Sequence, residues 1–437
     1  MLFNLISTRS LVTTFLVSAL LLSVSDVSEA KLFKIKEKPV ESKTTEVSED
    51  EGDTLNTAAE KPKKVAVKTA KAKTASKPKK EVEIAVEKKQ SKLPVMTQGT
   101  YDEYGIATEE KTFSKKSGDV PVHVIRVDLN QKKVNPKIVL ANDKLGSQGT
   151  LTEICKNHGA VAGVNGSFFD MKTHAAVGYL MIDGKSIQAP LIVKARTTFG
   201  ITKDDRVMIG KPKFRRRIRP EGEFFSMIDG INRAWTYGDI IIYTAEYGKK
   251  IEAPKGGLCF KFDGAGVVTE VFKGKESIPE EGGILAVSEA HIHRFQNTKA
   301  GTKIMFTQTL MSPWDQVKDA FGSGMLLVTD GQITFDQSRE EVGQYLMGDA
   351  PRTAVGLTAN NELVMVVADG RGKGYRGVDF DEIAQIMIDC GCTDAIALDG
   401  GGSSTLVYKD EILNTVSEKG GVQRKIANAL VLLPAGK

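Results

Sequence analysis

The chain has 437 residues and a mass of 47.4 kDa, enough for two or three average domains or one large core with appendages. Its formal net charge of +5 is unevenly placed: residues 31–95 hold 17 Lys against 11 Asp plus Glu, the first thirty residues are slightly acidic, and residues 96–437 are neutral. A neutral folded part gives no basic footprint for nucleic acid, and four cysteines in this length do not make a disulfide scaffold.

Residues 1–30 have the layout of a secretory signal peptide. Arg9 precedes an apolar run from Leu11 to Leu22, and the small residues Ser28 and Ala30 suit cleavage after Ala30. Twelve mostly apolar residues are too few to span a hydrocarbon core of roughly 30 Å, and a longer reading through Val24 leaves an uncleaved anchor open. The expectation is an exported protein, periplasmic, cell-surface or secreted. Residues 31–95, with one glycine, one phenylalanine and no tyrosine or tryptophan, offer too little apolar surface to offset ordering and predict a Lys-rich disordered tether. Such a tether is attracted to an anionic envelope polymer or membrane surface.

Residues 96–437 read as one domain, since no second linker of that kind interrupts them. From about Gly118 the chain becomes a series of short apolar runs, many β-branched and bounded by Gly, Asn or Asp, which predict strands. Helices are fewer. One is predicted over 379–390, where Ile383, Ile386, Met387 and Cys390 recur at helical spacing, Asp379 and Glu382 form a capping box, and Gly391 marks the stop. Others are predicted over Leu151 to His158 and Pro313 to Ala320. Many strands and few helices predict an α+β fold of strand-rich mixed sheets with a few packed helices. A Rossmann reading lacks its Gly-rich fingerprint.

A weak internal echo runs through the domain: Arg196-Thr197 and Arg352-Thr353 each lead a strand, and each follows a hairpin turning on Asp-Gly. A distant internal duplication and a simple pair of sheet-edge arginines both fit it.

Four polar constellations interrupt the strands. Asn165, before Gly166 and two aromatics, is either turn chemistry or an amide presented to a sugar hydroxyl. Arg352, framed like Arg196, carries the side chain best suited to gripping a phosphate through two parallel hydrogen bonds. Asp369 and Arg371, one residue apart at the end of an apolar run, face a Gly-rich loop, which is a phosphodiester site or a solvated hairpin. Asp399 emerges from a short buried strand and is followed by Gly400, Gly401 and Gly402, whose N–H groups could form an anion nest, and by the hydroxyls of Ser403, Ser404 and Thr405. No Gly-Lys-Ser/Thr follows, and there is no Gly-x-Ser-x-Gly elbow. Cys390-Gly391-Cys392 is no zinc signature by itself, and three complete pairings of Cys155, Cys259, Cys390 and Cys392 remain open.

Taken in order, Asn165-Gly-Ser-Phe-Phe, Pro351-Arg-Thr-Ala-Val-Gly, Asp369-Gly-Arg, the Glu382-Ile-Ala helix, Leu398-Asp-Gly-Gly-Gly-Ser-Ser and Gln423-Arg-Lys-Ile-Ala-Asn-Ala-Leu resemble the phosphodiester glycosidase family. The resemblance is dense after Pro351 and thins between about 210 and 310. It implies a substrate class in which a sugar is joined through its anomeric oxygen to a phosphodiester, and hydrolysis that releases the sugar. The partner is then a phosphate-linked glycan or small glycosyl phosphodiester. Asp399 and Asp369 become the candidate acid, base or nucleophile; Arg352 and Arg371 hold the phosphodiester; Asn165, Arg196 and the 400–405 loop contact substrate. Two residues depart from the family pattern: Ala397 stands where the family commonly has Asn, and Gln423 where it often has Glu. No ligand spacing demands a metal, and Ca or Mg on Asp369 or Asp399 stays open. The rival class is a secreted glycan-binding module that does not cleave; a purely structural envelope protein gives no reason to concentrate Asp, Arg and Ser at strand ends.

Overall fold

The computed structural model describes residues 100–190, 196–340 and 343–436; the signal-peptide and tether expectations lie outside them. The largest sheet has seven strands in the order Ile106–Phe113, Val120–Asp128, Glu362–Ala368, Arg352–Thr358, Cys392–Ala397, Leu326–Thr329 and Gln332–Ile333. Every neighbouring pair is antiparallel. The central strands are apolar on both faces, which suits strands covered on both sides. On one face lies the helix Phe380–Asp389, burying Phe380, Ile383, Ala384 and Met387 against Val364, Val366 and Ala395. Its capping box is the one read from the sequence: Asp379 accepts from the Glu382 N–H, and Glu382 answers to the Asp379 N–H.

The other face of this sheet shares a core with two five-stranded sheets, in which Ile125, Val355, Met365 and Ile396 meet Ile138, Val164 and Leu430, and also Leu180, Phe199 and Phe321. One runs Glu411–Ile412, Leu406–Tyr408, Ala162–Asn165, Asn428–Pro434, Val134–Leu140, with the predicted helix Leu151–His158 packed on it. The other runs Lys185–Gln188, Leu180–Ile182, Val317–Gly324, Thr197–Thr202, Val207–Gly210. Its order and all-antiparallel pairing repeat five strands of the large sheet, with Thr197–Thr202 in the place of Arg352–Thr358 and Val317–Gly324 in the place of Cys392–Ala397. The sequence echo thus falls on topologically matched strands.

Where the large sheet crosses over by the helix Phe380–Asp389, its counterpart crosses by the 211–316 segment. That segment carries a three-stranded sheet and a five-stranded sheet whose core, including Ile218, Phe260, Leu285 and Phe295, continues into Met181, Val317 and Ala320 of the neighbouring sheet. The five-stranded one contains the single parallel pairing recorded among the described strands, Gly230–Ile231 with Ile240–Tyr243, so the architecture is α+β with mixed sheets. The helix expected over Pro313 to Ala320 is absent. A 3-10 turn at Trp314–Gln316 leads straight into the strand Val317–Gly324. Tertiary pairing decides this segment, because from Val317 onward the strands Leu180–Ile182 and Thr197–Thr202 claim it from both sides. A Cβ at Gly324 would collide with the carbonyl of Ala397. All four cysteines are buried and unbridged.

Candidate active site

The C-terminal ends of Glu362–Ala368 and Cys392–Ala397 and the start of Arg352–Thr358 open at one place, and Asn165 from the neighbouring sheet ties them together. Its Nδ2 donates to the Asp399 carbonyl at 2.7 Å. Its Oδ1 accepts from Thr353 Oγ1 at 2.9 Å and from the Thr405 N–H at 3.1 Å. The side chain is completely buried. This corrects the expectation of an amide offered to a sugar, because every strong partner of that amide lies within the protein. Gly166 accepts from the Asp399 N–H at 3.1 Å, and a Cβ there would strike Asn428.

Asp399 itself stays partly open to solvent, yet burial of its carboxyl pushes its pKa up to about 6. The Ser403 hydroxyl, the Gly400 N–H and the Arg424 charge offset only part of that shift. The Gly400 N–H donates to Asp399 Oδ1 at 2.9 Å. Ser403 Oγ stands close enough to favour the charged form without a hydrogen bond of regular geometry.

The glycine loop is not the free anion nest expected of it. Gly400 donates to Asp399, and Gly401 donates to the Pro351 carbonyl at 2.8 Å. Glycine serves close approach here instead: Arg371 Nη2 lies 3.2 Å from where a Cβ of Gly401 would be, and Gly402 leaves room for Arg424, whose guanidinium pairs with Glu418 at 2.6 Å. Two guanidinium groups therefore bracket the Gly401–Gly402 segment next to Asp399. Arg371 is exposed, in left-handed backbone at φ 61. Ser404 Oγ is buried with no hydrogen-bond partner, whereas Thr405 is held in the fold by Asn165.

Asp369 is almost fully buried. Its carboxylate accepts from the Thr415 N–H at 3.1 and 3.3 Å and stands 3.4 Å from His123 Nε2. The loop carrying Thr415 also holds Ser417, whose hydroxyl donates to the Gly401 carbonyl at 3.0 Å, so one segment links the Asp369 and Asp399 sides. Tyr375 lies nearby, its phenol pKa raised by burial and by the Asp369 charge.

Arg352 has other partners than a ligand. Nη2 donates to the carbonyls of Leu346 at 2.6 Å and Gly348 at 2.7 Å, Nε to that of Val378 at 3.2 Å, and the guanidinium sits 3.9 Å over the Phe380 ring. Burial lowers its pKa to about 10. Nε and Nη2 are thus held by the fold, while Nη1 lies 3.8 Å from where a Cβ of Gly400 would be, at the glycine loop. Arg196 occupies the matching strand start in the other sheet; among the described residues no hydrogen bond or ion pair joins it to Asp399, Asp369 or Arg371.

Sequence reasoning did not single out His123, Thr415, Glu418 or Arg424 as site residues. Of these, Arg424 carries a sequence signal, since it follows Gln423 in the motif Gln423-Arg-Lys-Ile-Ala-Asn. Of the two departures, Ala397 is buried in the core with Ala354 and Met325, and Gln423 ties the helix Leu151–His158 to the last motif through Thr152, donating to its hydroxyl at 2.7 Å and accepting from its N–H at 3.2 Å.

Asp349, Asp379 and Glu382 bring carboxylate oxygens within 4.8 Å of one another, a spacing that could hold a divalent ion. Neither Asp369 nor Asp399 belongs to this group. The ammonium of Lys115 reaches Asp349 at 3.1 Å and also pairs with Glu382, placing a positive charge there already.

Residues 251–433 match the model of the phosphodiester glycosidase family, so the Asn165 motif lies outside the matched region. The chain is 30% identical over 115 residues to the SPbeta prophage-derived protein YomE of Bacillus subtilis (strain 168), covering 26% of this chain and 17% of that one. It is 29% identical over 99 residues to the N-acetylglucosamine-1-phosphodiester alpha-N-acetylglucosaminidase of Homo sapiens, covering 22% and 19%. It thus spans less than a fifth of the length of these curated relatives. A crystal structure of a hypothetical protein from Synechocystis shares the fold, with a TM-score of 0.67 at 18% identity over 75% of this chain and 62% of that one. Together the family match and the relatives bear out, for this chain, the resemblance to the phosphodiester glycosidase family that its motifs carry.

Proposed function

We propose that the chain is an exported hydrolase that cleaves a sugar-1-phosphodiester linkage in an envelope or extracellular glycan and releases the sugar. The observation that carries this reading is the Asp399 carboxyl, partly open, raised to about 6 by burial, and flanked by Arg371 and Arg424 across the glycine loop. Two guanidinium groups suit a phosphodiester, and they accelerate the reaction only as far as they hold the departing phosphate more tightly than the bound substrate.

Phosphate is a good leaving group, so attack at the anomeric carbon needs little help from an acid. Asp399, ionised above its pKa, acts as the nucleophile or as the base for water. Asp369, held by Thr415 and His123, shapes the other side of the cleft, and Arg352 positions the 346–348 segment rather than substrate. Export rests on the signal-peptide layout; among the described residues no helix is long and apolar enough to cross a membrane.

The test incubates the purified protein and its Asp399→Asn variant with N-acetylglucosamine-1-phosphodiester model compounds and follows free sugar and phosphomonoester by chromatography. Release by the unmodified protein alone is the expected result. Saturable binding of glycan with no release would replace this reading with that of a glycan-binding module.

A further inference from the structure

The strand Phe214–Pro220 is the middle of the three-stranded sheet in the 211–316 segment, between Ser226–Met227 and Ile304–Leu310. Its sequence alternates strictly: Arg216, Ile218 and Pro220 are buried, while Arg215 and Arg217 are exposed and Arg219 is half-buried. With side chains alternating across a strand, these three share one face, about 6.8 Å apart at ~3.4 Å per residue. Exposed Lys213, just before the strand, continues the same period.

The flanks of this column are as regular as the column. On one side Arg217 pairs in register with Met227, and Arg219 stacks at 4.9 Å on Phe225. Next to Phe225 is Phe224, 92% exposed. On the other side Thr309, Thr307 and Met305 stand opposite Arg215, Arg217 and Arg219. The strand Ile304–Leu310 carries no acid, and among the described residues none of Lys213, Arg215, Arg217 and Arg219 is paired with a carboxylate. A sheet face normally intersperses charges of both signs. This one is a row of cations between an apolar flank and a flank of two threonines and a methionine; the acids nearest in sequence, Glu221 and Glu223, lie in the turn beyond its Pro220 end and pair with none of the four among the described residues.

We propose that this face is a docking surface for an anionic polysaccharide, a glycan chain bearing carboxylate or phosphate groups that lies along the strand Phe214–Pro220. Guanidinium forks take the anionic groups, Thr307 and Thr309 take sugar hydroxyls, and Phe224, Phe225 and Met227 take the apolar faces of sugar rings. The row of hydroxyls beside the row of cations favours a glycan over a lipid surface, which would leave those threonines without a role. The inference is separate from the hydrolase reading and holds whether or not the cleft turns substrate over.

The test uses the full-length protein and affinity electrophoresis in gels containing alginate, a soluble uronate polymer, or dextran, its uncharged counterpart. The Arg215→Gln/Arg217→Gln/Arg219→Gln variant is compared with Lys249→Gln/Lys255→Gln/Lys273→Gln, which removes the same charge from exposed positions elsewhere in the segment. The arginine variant is expected to bind alginate about tenfold more weakly or worse, with the salt dependence reduced. The lysine control keeps most of the binding, and dextran retards none of the proteins. Single Arg217→Gln, with circular dichroism and Tm matched to the parent, shows the same direction in a variant with minimal change to the fold. Equal losses in both triple variants would reduce the effect to net charge and overturn the proposal. Binding confined to phosphatidylglycerol vesicles would overturn it in favour of a membrane, and tighter binding to single-stranded oligothymidylate than to alginate in favour of nucleic acid.

Discussion

The carboxamide of Asn165 reaches across two sheets to hold the backbone of Asp399, with Nδ2 2.7 Å from the Asp399 carbonyl. The same carboxamide satisfies the Thr405 N–H and the Thr353 hydroxyl. Asn165→Ala leaves these groups buried and unpaired, so a loss of roughly 2–5 kcal/mol in urea unfolding is expected. A variant as stable as the parent would show that the clamp contributes nothing.

Asp399 gives a prediction in which stability and activity move apart. Its pKa is about 6 in the folded chain against an ordinary 3.8, so the folded state binds the proton more tightly. The stability this contributes is fully present below the unfolded value and is lost as pH rises through the folded one. Asp399→Asn is therefore expected to raise stability at pH 7.5 by on the order of 1–3 kcal/mol, with the gain vanishing near pH 4. The same substitution should lower kcat/KM by about a thousandfold, and the parent should lose activity in acid with a limb near pH 6. Thermal melts across pH and the pH–rate profile check both; turnover retained by the variant would remove Asp399 from its role.

Arg352 tests the difference between gripping a ligand and holding a fold. Its three donor bonds to Leu346, Gly348 and Val378 and its stacking on Phe380 need a planar fork that lysine lacks. Arg352→Lys is expected to lower stability by about 2–4 kcal/mol and to shift protease cleavage toward the neighbourhood of residues 343–350. A phosphate-gripping role would instead raise KM with an unchanged melting curve.

Gly402→Ala places a methyl group on the Glu418–Arg424 pair. Displacing Arg424 from the loop is expected to reduce kcat/KM by roughly 10–100-fold while the far-UV spectrum stays unchanged. Ala at Gly401, where φ is 63, carries a backbone penalty of about 1 kcal/mol as well and serves as the comparison.

Much of the framework is legible locally. The capping boxes Thr150–Glu153 and Asp379–Glu382 are each written within four residues, and the helices they start appear where the sequence puts them. Alternation and turn residues mark most strands for the same reason. The Pro313 to Ala320 segment shows the limit: its pattern permits a helix, and only the two strands beside it make it a strand. At the site, Asp399 and Asp369 are found at strand ends as the apolar runs before them indicate, but the partners of Asn165, Arg352 and the glycine N–H groups are not written beside them.

The sequence by itself determined which residue types stand at each strand end and the periodicities that make the elements, because both depend on neighbours a few positions away. Only the tertiary structure decided what those residues do with their polar atoms. Asn165 and Asp399 are separated by 234 positions, and whether a buried donor meets a carbonyl or faces a cleft follows from which strands the shared core brings together.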